Sequence, residues 1–368
     1  MEPQPSKEDV AETPSPSPLK GYGGLVNMGL TCYANATIQC LRHTIKLPWL
    51  LEEGKYNTLF EKEPNEKRQK KQELVKTFAQ VVQLLAKCER GQSVRPADFW
   101  NKVKPVVYDT MYEHLAEKAP HDSHEFYLFL LETVNEALAT EVEMRILRSN
   151  PSTPEERLIQ GALESWQREF SKEYSPIVDM FYGLGHWRTT CEKCSNVSHR
   201  WESFNSLKVS VPPGGFTAEP KSILELLEAE KRPETIEEYQ CDTCAAKTTA
   251  HRSYSVWRLP QTVVLVLKRF TPQGLKIHTP VAPLKHAKID FASYFSKESP
   301  EREGITTYNL RSIIDHHGSS AGGHYTAQAK HRDDEKFYLY DDEGVQEMPG
   351  GKGPIYGDST YMLFLERA

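Results

Sequence analysis

The chain has 368 residues, of which 38% are hydrophobic and 26% are charged, and its formal net charge is −6. This composition is typical of a globular protein with one large domain or two smaller ones, and its acidic balance disfavours nucleic acid as a partner. No apolar run is long enough to span a membrane, and the first 20 residues lack the apolar segment of a signal peptide. We therefore expect an intracellular protein without a membrane partner, whose cysteines are thiols, core residues or metal ligands and not disulfides.

The first half of the chain favours helices. Residues 1–20, rich in Pro, Ser and charge, are predicted to be a disordered tail, with order beginning near Gly21. Apolar residues then recur at helical spacing. Helices are predicted over Cys32–Leu41, about Lys71–Cys88 and about Ser123–Thr140, and a charged, helix-prone stretch over Glu141–Lys172 is broken at Ser149–Glu156.

The second half, from Asp179 onward, favours strands. Short runs of β-branched and aromatic residues alternate there with turn signals. These runs are Ser206–Val211, Thr262–Phe270, Leu310–Asp315, Tyr325–Ala329, Phe337–Tyr340 and Tyr361–Leu365. Helices followed by strands are the order of an α+β protein, so the sequence predicts an α+β fold.

Cys32 is the first candidate for chemistry. It follows Gly29-Leu30-Thr31 and opens the first predicted helix. The positive end of a helix dipole favours the thiolate, which makes this a suitable position for a nucleophile. The alternative is a small buried apolar residue, because free cysteine is among the most buried residue types.

A nucleophilic cysteine needs a base, and the base needs an orienting group. His324 follows two glycines in GSSAGGHYTA, and glycines allow a substrate backbone to come close. Asp341 and Asp342 end the next predicted strand, where a short connection between strands could bring Asp341 near His324. Separately, His324 is one of 13 histidines and the aspartates fit a turn, so only their joint occurrence favours a catalytic site.

Two CxxC pairs indicate a metal site. Cys191 and Cys194 form the first pair, and Cys241 and Cys244 form the second. Four thiolates in two knuckles suit tetrahedral zinc, and a site closed by four protein ligands is structural and not catalytic. The alternative, a pair of redox-active motifs, lacks a thioredoxin-like context.

Read in order, the motifs resemble those of the ubiquitin-specific protease family over about Gly21 to Arg367. The first box is GLVNMGLTCYANATIQCL and the second is HDSHEFYLFLL. They are followed by the paired CxxC motifs, FNSLKVSVP, LPQTVVLVLKRF, YNLRSIIDHHGSSAGGHYTA, FYLYDDEGV and YMLFL. The resemblance implies a papain-like cysteine protease built as a helical thumb over about 21–175, zinc-bound β fingers over about 176–260 and a β-sheet palm over about 261–368.

The resemblance also implies a reaction, the removal of ubiquitin from protein conjugates. Cys32 would attack the carbonyl after the C-terminal glycine of ubiquitin, and His324 would move the proton. Asp341 would orient His324. Asn27 matches the oxyanion-hole side chain of the family, and Asp342 matches a second acidic position that assists the site. The expected partners are ubiquitin, ubiquitinated proteins and an unidentified activator or scaffold.

Two further matches concern binding. Asp122 and Glu125 correspond to positions that meet the basic C-terminal tail of ubiquitin, although their spacing also fits the capping of a helix. The segment His317–Gly323 corresponds to a loop that gates the tail channel, and its alternative is a flexible hairpin loop.

The sequence departs from the family pattern at two places. Leu30 stands where the family usually has Asn, and Pro120-His121 stand where it usually has two glutamines. Three other functions stay open at this stage: a non-catalytic ubiquitin-binding scaffold, a protease for another ubiquitin-like modifier, and a nucleic-acid-binding zinc module. The acidic balance weighs against the last of these.

Overall fold

A computed structural model of the protein describes residues 21–52, 54–108, 110–147, 150–319, 322–349 and 353–368. The predicted tail, residues 1–20, lies outside these ranges. The helices are α1 (Cys32–Arg42), α2 (Lys46–Glu52), α3 (Tyr56–Leu59), α4 (Glu66–Lys87), α5 (Ala97–Val107), α6 (Ser123–Leu138), α7 (Pro154–Phe170), α8 (Pro176–Phe181) and α9 (Ile223–Glu230). None of them is long and apolar enough to cross a membrane.

The strands lie mostly in the second half, as predicted. They are β1 (Gly24–Leu25), β2 (Ser93–Val94), β3 (Gly183–Cys191), β4 (Val197–Phe204), β5 (Leu207–Ser210), β6 (Glu234–Cys241), β7 (Ala246–Arg258), β8 (Thr262–Lys268), β9 (Lys288–Asp290), β10 (Thr307–Ser319), β11 (Gly322–Lys330), β12 (Phe337–Asp341), β13 (Gly344–Glu347) and β14 (Thr360–Arg367). The main sheet has the order β13-β12-β11-β10-β14-β8-β5, with β9 paired to β10. The second, four-stranded sheet has the order β4-β3-β7-β6.

The main sheet is covered on both faces, which explains the unbroken apolar run in β8. Successive side chains of a strand point to opposite faces. Val264 and Val266 pack into the core formed with the helices of the first half. Val263, Leu265 and Leu267 pack on the other face, where α9 closes a second core. A strand buried on both sides reads as continuously hydrophobic and not as alternating.

Helix α1 runs through the middle of the molecule. All of its residues are buried, and it packs against α6 and the main-sheet strands β10 and β11. Two of its buried polar side chains donate to backbone carbonyls: Thr37 Oγ1 donates to Tyr33 O at 2.8 Å, and Gln39 Nε2 donates to Gly23 O at 3.0 Å. The single apolar face read from the sequence therefore understates the burial of this helix, because its small and polar residues are buried too.

Two helix boundaries differ from the predictions. Helix α4 starts at Glu66, before the predicted Lys71, because the Asn65 side chain accepts a hydrogen bond from the Arg68 N–H and caps the helix. Helix α7 starts inside the predicted break, because Thr153 and Glu156 form a reciprocal capping box. The residues described between 141 and 147 are not helical.

The four-stranded sheet corresponds to the predicted fingers, with one correction to the boundaries. Strand β5 and helix α9 fall within the predicted fingers segment 176–260. In the structure β5 pairs in parallel with β8 of the main sheet, and α9 covers that sheet. The chain thus leaves the second sheet after β4, enters the main sheet, and returns to the second sheet at β6. The division into thumb, fingers and palm otherwise stays a prediction.

Candidate active site and metal centre

His324 and Asp341 meet on neighbouring antiparallel strands of the main sheet. Strand β11 pairs with β12 so that Ala327 lies opposite Tyr340. This register brings the His324 Nε2 atom within 2.6 Å of Asp341 Oδ1. A carboxylate only accepts hydrogen bonds, so Nε2 carries the hydrogen and the lone pair of Nδ1 is left for another group. In this arrangement the Asp341 carboxylate can orient the His324 ring.

Cys32 is the first residue of α1, as predicted, and it is buried. Among the described residues no hydrogen bond links its thiol to His324. The contact from β11 is instead the backbone of Tyr325, the next residue after His324. The thiol and the histidine thus lie on two elements that pack together, α1 and β11. Catalytic hydrogen bonds are often loose before substrate binds, so this geometry is compatible with a nucleophile and its base.

The electrostatics of Cys32 differ from the expectation of a helix-lowered pKa. Burial raises the pKa of the Cys32 thiol, and the negative charge of Asp342 raises it further. Backbone hydrogen bonds from Tyr325, Tyr33 and Cys32 itself act in the opposite direction, as the helix N-terminus should. Desolvation outweighs them, so the resting thiol holds its proton and needs a base.

Asn27 is locked by the turn that precedes Cys32. Its Oδ1 accepts hydrogen bonds from Gly29 N at 2.9 Å, Thr31 N at 3.1 Å and Thr31 Oγ1 at 3.3 Å. These donors hold the oxygen end of the amide. Its Nδ2 donates to Asp342 Oδ2 at 2.8 Å. An amide nitrogen carries two hydrogens, so the second N–H of Asn27 is left for another acceptor.

Asp342 lies at the centre of the site. Its carboxylate, that of Asp341 and the His324 ring each offer an atom within 4.8 Å of the others. The second carboxylate oxygen accepts from Asn35 Nδ2 at 2.7 Å. Sequence analysis did not single out Asn35, because an asparagine inside a predicted helix carries no signal by itself. The one signal in the sequence is that Asn35 lies three residues after Cys32 within the first motif, GLVNMGLTCYANATIQCL.

The departure at Leu30 has a backbone consequence. Gly29 and Leu30 have consecutive positive φ angles of 99° and 60°. Glycine adopts such angles without strain and asparagine tolerates them, whereas a leucine pays a conformational cost. The Leu30 side chain is 50% exposed and so gains little from packing. The residue that the family usually has at this position, Asn, suits the observed angle better.

We expect Leu30→Asn to stabilise the protein by on the order of 1 kcal/mol, because it relieves the left-handed strain. A matched control is Leu84→Asn, since Leu84 is 51% exposed but lies inside the regular helix α4. The control should destabilise by roughly 0.5 kcal/mol through lower helix propensity. Urea unfolding of both variants measures the two free energies. An equal decrease in the free energy of unfolding of both variants would contradict the strain at Leu30.

The N-terminus of α6 holds the two predicted binding residues. Asp122 caps the helix, because its Oδ1 accepts from the His124 N–H at 2.7 Å and the Glu125 N–H at 3.2 Å. Its Oδ2 accepts from the Tyr361 hydroxyl at 2.7 Å. Glu125 does not reach back to form a capping box, since its Oε2 lies 3.1 Å from His114 Nε2. Both oxygens of the Asp122 carboxylate are therefore occupied, whereas the Glu125 carboxylate is exposed and contacts His114.

The Pro120-His121 departure and the segment His317–Gly323 both lie next to residues of the site. The His121 ring packs edge-on against Tyr33, with 5.3 Å between ring centroids, so the Pro120-His121 departure lies beside the residue after Cys32. The segment His317–Gly323 is the tip of the β10–β11 hairpin, of which Ser320 and Ala321 lie outside the described residues. Gly318 has a φ of 111°, and a Cβ there would lie 2.7 Å from Gly322 O.

The four cysteines of the CxxC pairs come together at the tip of the second sheet. Their sulfur atoms all lie within 4.8 Å of one another, and Cys194 and Cys241 are 3.6 Å apart. Four ligands at the usual zinc–sulfur distance of ~2.3 Å lie ~3.8 Å apart around a tetrahedral ion, so the cluster fits such a metal. All seven cysteines of the chain are described, and none is in a disulfide.

Both knuckles have the same design. Cys191 ends β3 and Cys241 ends β6, and the second cysteine of each pair lies in the tight turn to the next strand. The residue after it is left-handed in both turns, Ser195 with a φ of 56° and Ala245 with a φ of 48°. The two hairpins thereby present their four sulfur atoms to one point.

Comparison with known proteins identifies the family. A sequence profile described as "Ubiquitin carboxyl-terminal hydrolase" matches residues 23–365. The chain belongs to the ubiquitin carboxyl-terminal hydrolase family. Usp2 of Drosophila melanogaster is 26% identical over 95% of this chain and 35% of its own length. Ubiquitin carboxyl-terminal hydrolase 21 of Bos taurus is 27% identical over 94% of this chain and 61% of its own length. The chain thus spans less than two thirds of the length of these relatives.

Solved structures support the same fold for this chain. A chain of the yeast SAGA DUB module with a mutant Sgf73 superposes with a TM-score of 0.68 at 19% identity, covering 95% of this chain and 69% of the other. A chain of the Ubp8/Sgf11/Sus1/Sgf73 DUB module bound to ubiquitin aldehyde gives a TM-score of 0.66 at 18% identity, covering 95% and 70%. The predicted α+β architecture is therefore confirmed, and its second sheet carries a cluster of four cysteines that could hold a metal ion.

Proposed function

We propose that this chain is a thiol-dependent deubiquitinase that hydrolyses the isopeptide or peptide bond after the C-terminal glycine of ubiquitin. The observation that carries the proposal is the His324–Asp341 pair on β11 and β12, packed against the helix that begins with Cys32. Membership of the ubiquitin carboxyl-terminal hydrolase family supports ubiquitin as the substrate. A folded site with these groups disfavours the non-catalytic scaffold.

The proposed chemistry has two halves. His324 Nδ1 takes the thiol proton while Cys32 Sγ attacks the carbonyl carbon of the terminal glycine. The second N–H of Asn27 donates to the oxyanion that forms, and such a donor is worth roughly 3–4 kcal/mol of barrier. His324 then gives its proton to the leaving lysine amine, which leaves a thioester. Water attacks the thioester, His324 removes its proton, and the ubiquitin carboxylate and the Cys32 thiol are released.

Tail recognition is proposed for the α6 N-terminus and the β10–β11 hairpin. The exposed carboxylate of Glu125 can meet a basic residue of the ubiquitin tail, once that residue displaces His114 from its 3.1 Å contact. Asp122 contributes negative charge and not a free oxygen, because both of its oxygens accept hydrogen bonds. The hairpin approaches itself closely at Gly318, where a Cβ would lie 2.7 Å from Gly322 O, so glycine is needed there for the shape of the loop proposed to gate the tail channel.

We propose that Cys191, Cys194, Cys241 and Cys244 hold a structural Zn²⁺. When bound, the ion would join the two hairpins of the fingers sheet and take no part in the reaction, because four protein ligands leave no open position. Seven unpaired cysteines also support the proposal of an intracellular, reducing location.

The proposed function is tested by reaction with ubiquitin that carries a C-terminal electrophile. We expect a covalent adduct with the wild type, none with Cys32→Ala, and a normal adduct with the control Cys88→Ser. The same electrophile on another ubiquitin-like modifier tests the alternative substrate. An adduct with that modifier and none with ubiquitin would favour a protease for the other modifier. No adduct with folded wild type would contradict the proposal for the isolated chain. It would favour a scaffold, or an enzyme that needs a partner as Ubp8 has partners in its module.

A further inference from the structure

Asn35 lies one helical turn after Cys32, and its side chain is fully buried. Its Nδ2 donates to Asp342 Oδ1 at 2.7 Å and lies 3.3 Å from Leu25 O. Its Oδ1 is buried and has no partner among the described residues. A buried polar atom without a partner is costly, so the two hydrogen bonds of Asn35 Nδ2 must offset that cost.

Asp342 is held by two amides, one on each carboxylate oxygen. Asn35 Nδ2 donates to Oδ1, and Asn27 Nδ2 donates to Oδ2 at 2.8 Å. The backbone at Asp342 is left-handed, with a φ of 48°, and its carbonyl accepts from Leu25 N at 2.8 Å. The main chain is thus anchored, whereas the direction of the carboxylate depends on the two amides. If Asn35 is lost, one oxygen is left without a donor and the carboxylate can rotate.

We propose that Asn35 is a positioning residue, which fixes the Asp342 carboxylate and through it the oxyanion-donating amide of Asn27. The inference rests on the proposed function, since it concerns the same reaction. Asn35 and Cys32 lie on the same helix, α1. The positions of the nucleophile and of the oxyanion donor are therefore both set by this one rigid helix. The linkage runs from α1 to the β12–β13 turn and back to the turn before α1.

The test is a double-mutant cycle of Asn35→Ala and Asp342→Ala, with ubiquitin bearing a C-terminal fluorogenic amide as substrate. Each single variant should lower kcat by about tenfold to a hundredfold, because the oxyanion donor is misplaced. KM should change less than threefold, since neither side chain is proposed to contact ubiquitin. If Asn35 acts only through Asp342, the double variant loses no more than Asp342→Ala alone. The inference would be overturned if the fold-decrease of kcat in the double variant equalled the product of the two single decreases. It would also be overturned by an Asn35→Ala variant with wild-type kcat.

An exchange of the two side chains keeps the test decisive if an alanine variant does not fold. In Asn35→Asp/Asp342→Asn, the new amide at position 342 can donate to the new carboxylate and still accept from Asn27. We expect at least tenfold recovery of kcat over Asn35→Asp, in which two carboxylates face each other. No recovery in a folded double variant would contradict the inference. Inactive wild type would instead contradict the proposed function, which separates the two failures.

Discussion

Replacing His324 by Asn is expected to lower the rate of ubiquitin release by about 10,000-fold to 1,000,000-fold, the range found for the loss of a base that works as one unit with its nucleophile. Asn retains a hydrogen-bonding group beside Asp341 but cannot accept the thiol proton. The burial of Cys32, and then the charge of Asp342, raise the pKa of its thiol. Little thiolate therefore forms at neutral pH without a base.

The pH dependence separates this explanation from a simple loss of structure. A thiol with a raised pKa is protonated below that pKa and becomes nucleophilic only above it. The residual turnover of His324→Asn should therefore rise steadily with pH through the alkaline range. Alkylation of Cys32 by iodoacetamide should follow the same rise. A pH-independent residual rate would contradict the role of His324 as the base.

The matched control is His286→Asn, the same substitution at an exposed histidine with a left-handed φ of 55°, which asparagine tolerates. It should retain wild-type turnover. Asp341→Asn is a second test of the same site. The new amide can donate to His324 Nε2, which favours the tautomer with the hydrogen on Nδ1, and Nδ1 then cannot accept the thiol proton. We expect a loss of up to about 10,000-fold in kcat for this variant. An Asp341→Asn variant with wild-type kcat would contradict the orienting role.

Much of the fold could be predicted from the sequence where a local pattern dominates. The strands at residues 262–268 and 360–367 are dense in β-branched and aromatic residues, and each predicted run matches an observed strand. The predictions failed where the cause was not local. Strand β5 belongs to the main sheet because it pairs with β8, which follows it by more than 50 residues, and no sequence period reports that pairing.

The candidate site shows the same division. The proximity of His324 and Asp341 follows from two neighbouring strands, and sequence could anticipate it. The raised pKa of the Cys32 thiol could not be read from a helix start, because the burial that causes it comes from elements far along the chain. The Asn35–Asp342 contact joins residues more than 300 positions apart, and helical periodicity offers no reason to look for it.

Loss of the proposed zinc is expected to give the largest effect on stability. Strand β6 lies at the edge of the fingers sheet, and Cys241 is its one buried residue. Its attachment to β7 therefore depends on backbone hydrogen bonds, on exposed polar contacts such as the Glu234–Arg252 ion pair, and on the cysteine cluster. Structural zinc in small domains supplies about 10–16 kcal/mol of apparent binding free energy. No hydrophobic packing of β6 can replace that contribution.

We therefore expect Cys191→Ser and Cys241→Ser to bind less than one zinc per chain by elemental analysis, where the wild type binds one. Amide hydrogen exchange should accelerate in β6 and in the β3–β4 turn, while α1 and β11 keep their protection. Because the proposed chemistry lies on those protected elements, KM for ubiquitin should rise far more than kcat falls. Cys88→Ser controls for the loss of a thiol elsewhere. Wild-type protein that is folded, reactive with ubiquitin and free of zinc would contradict the structural role of the metal.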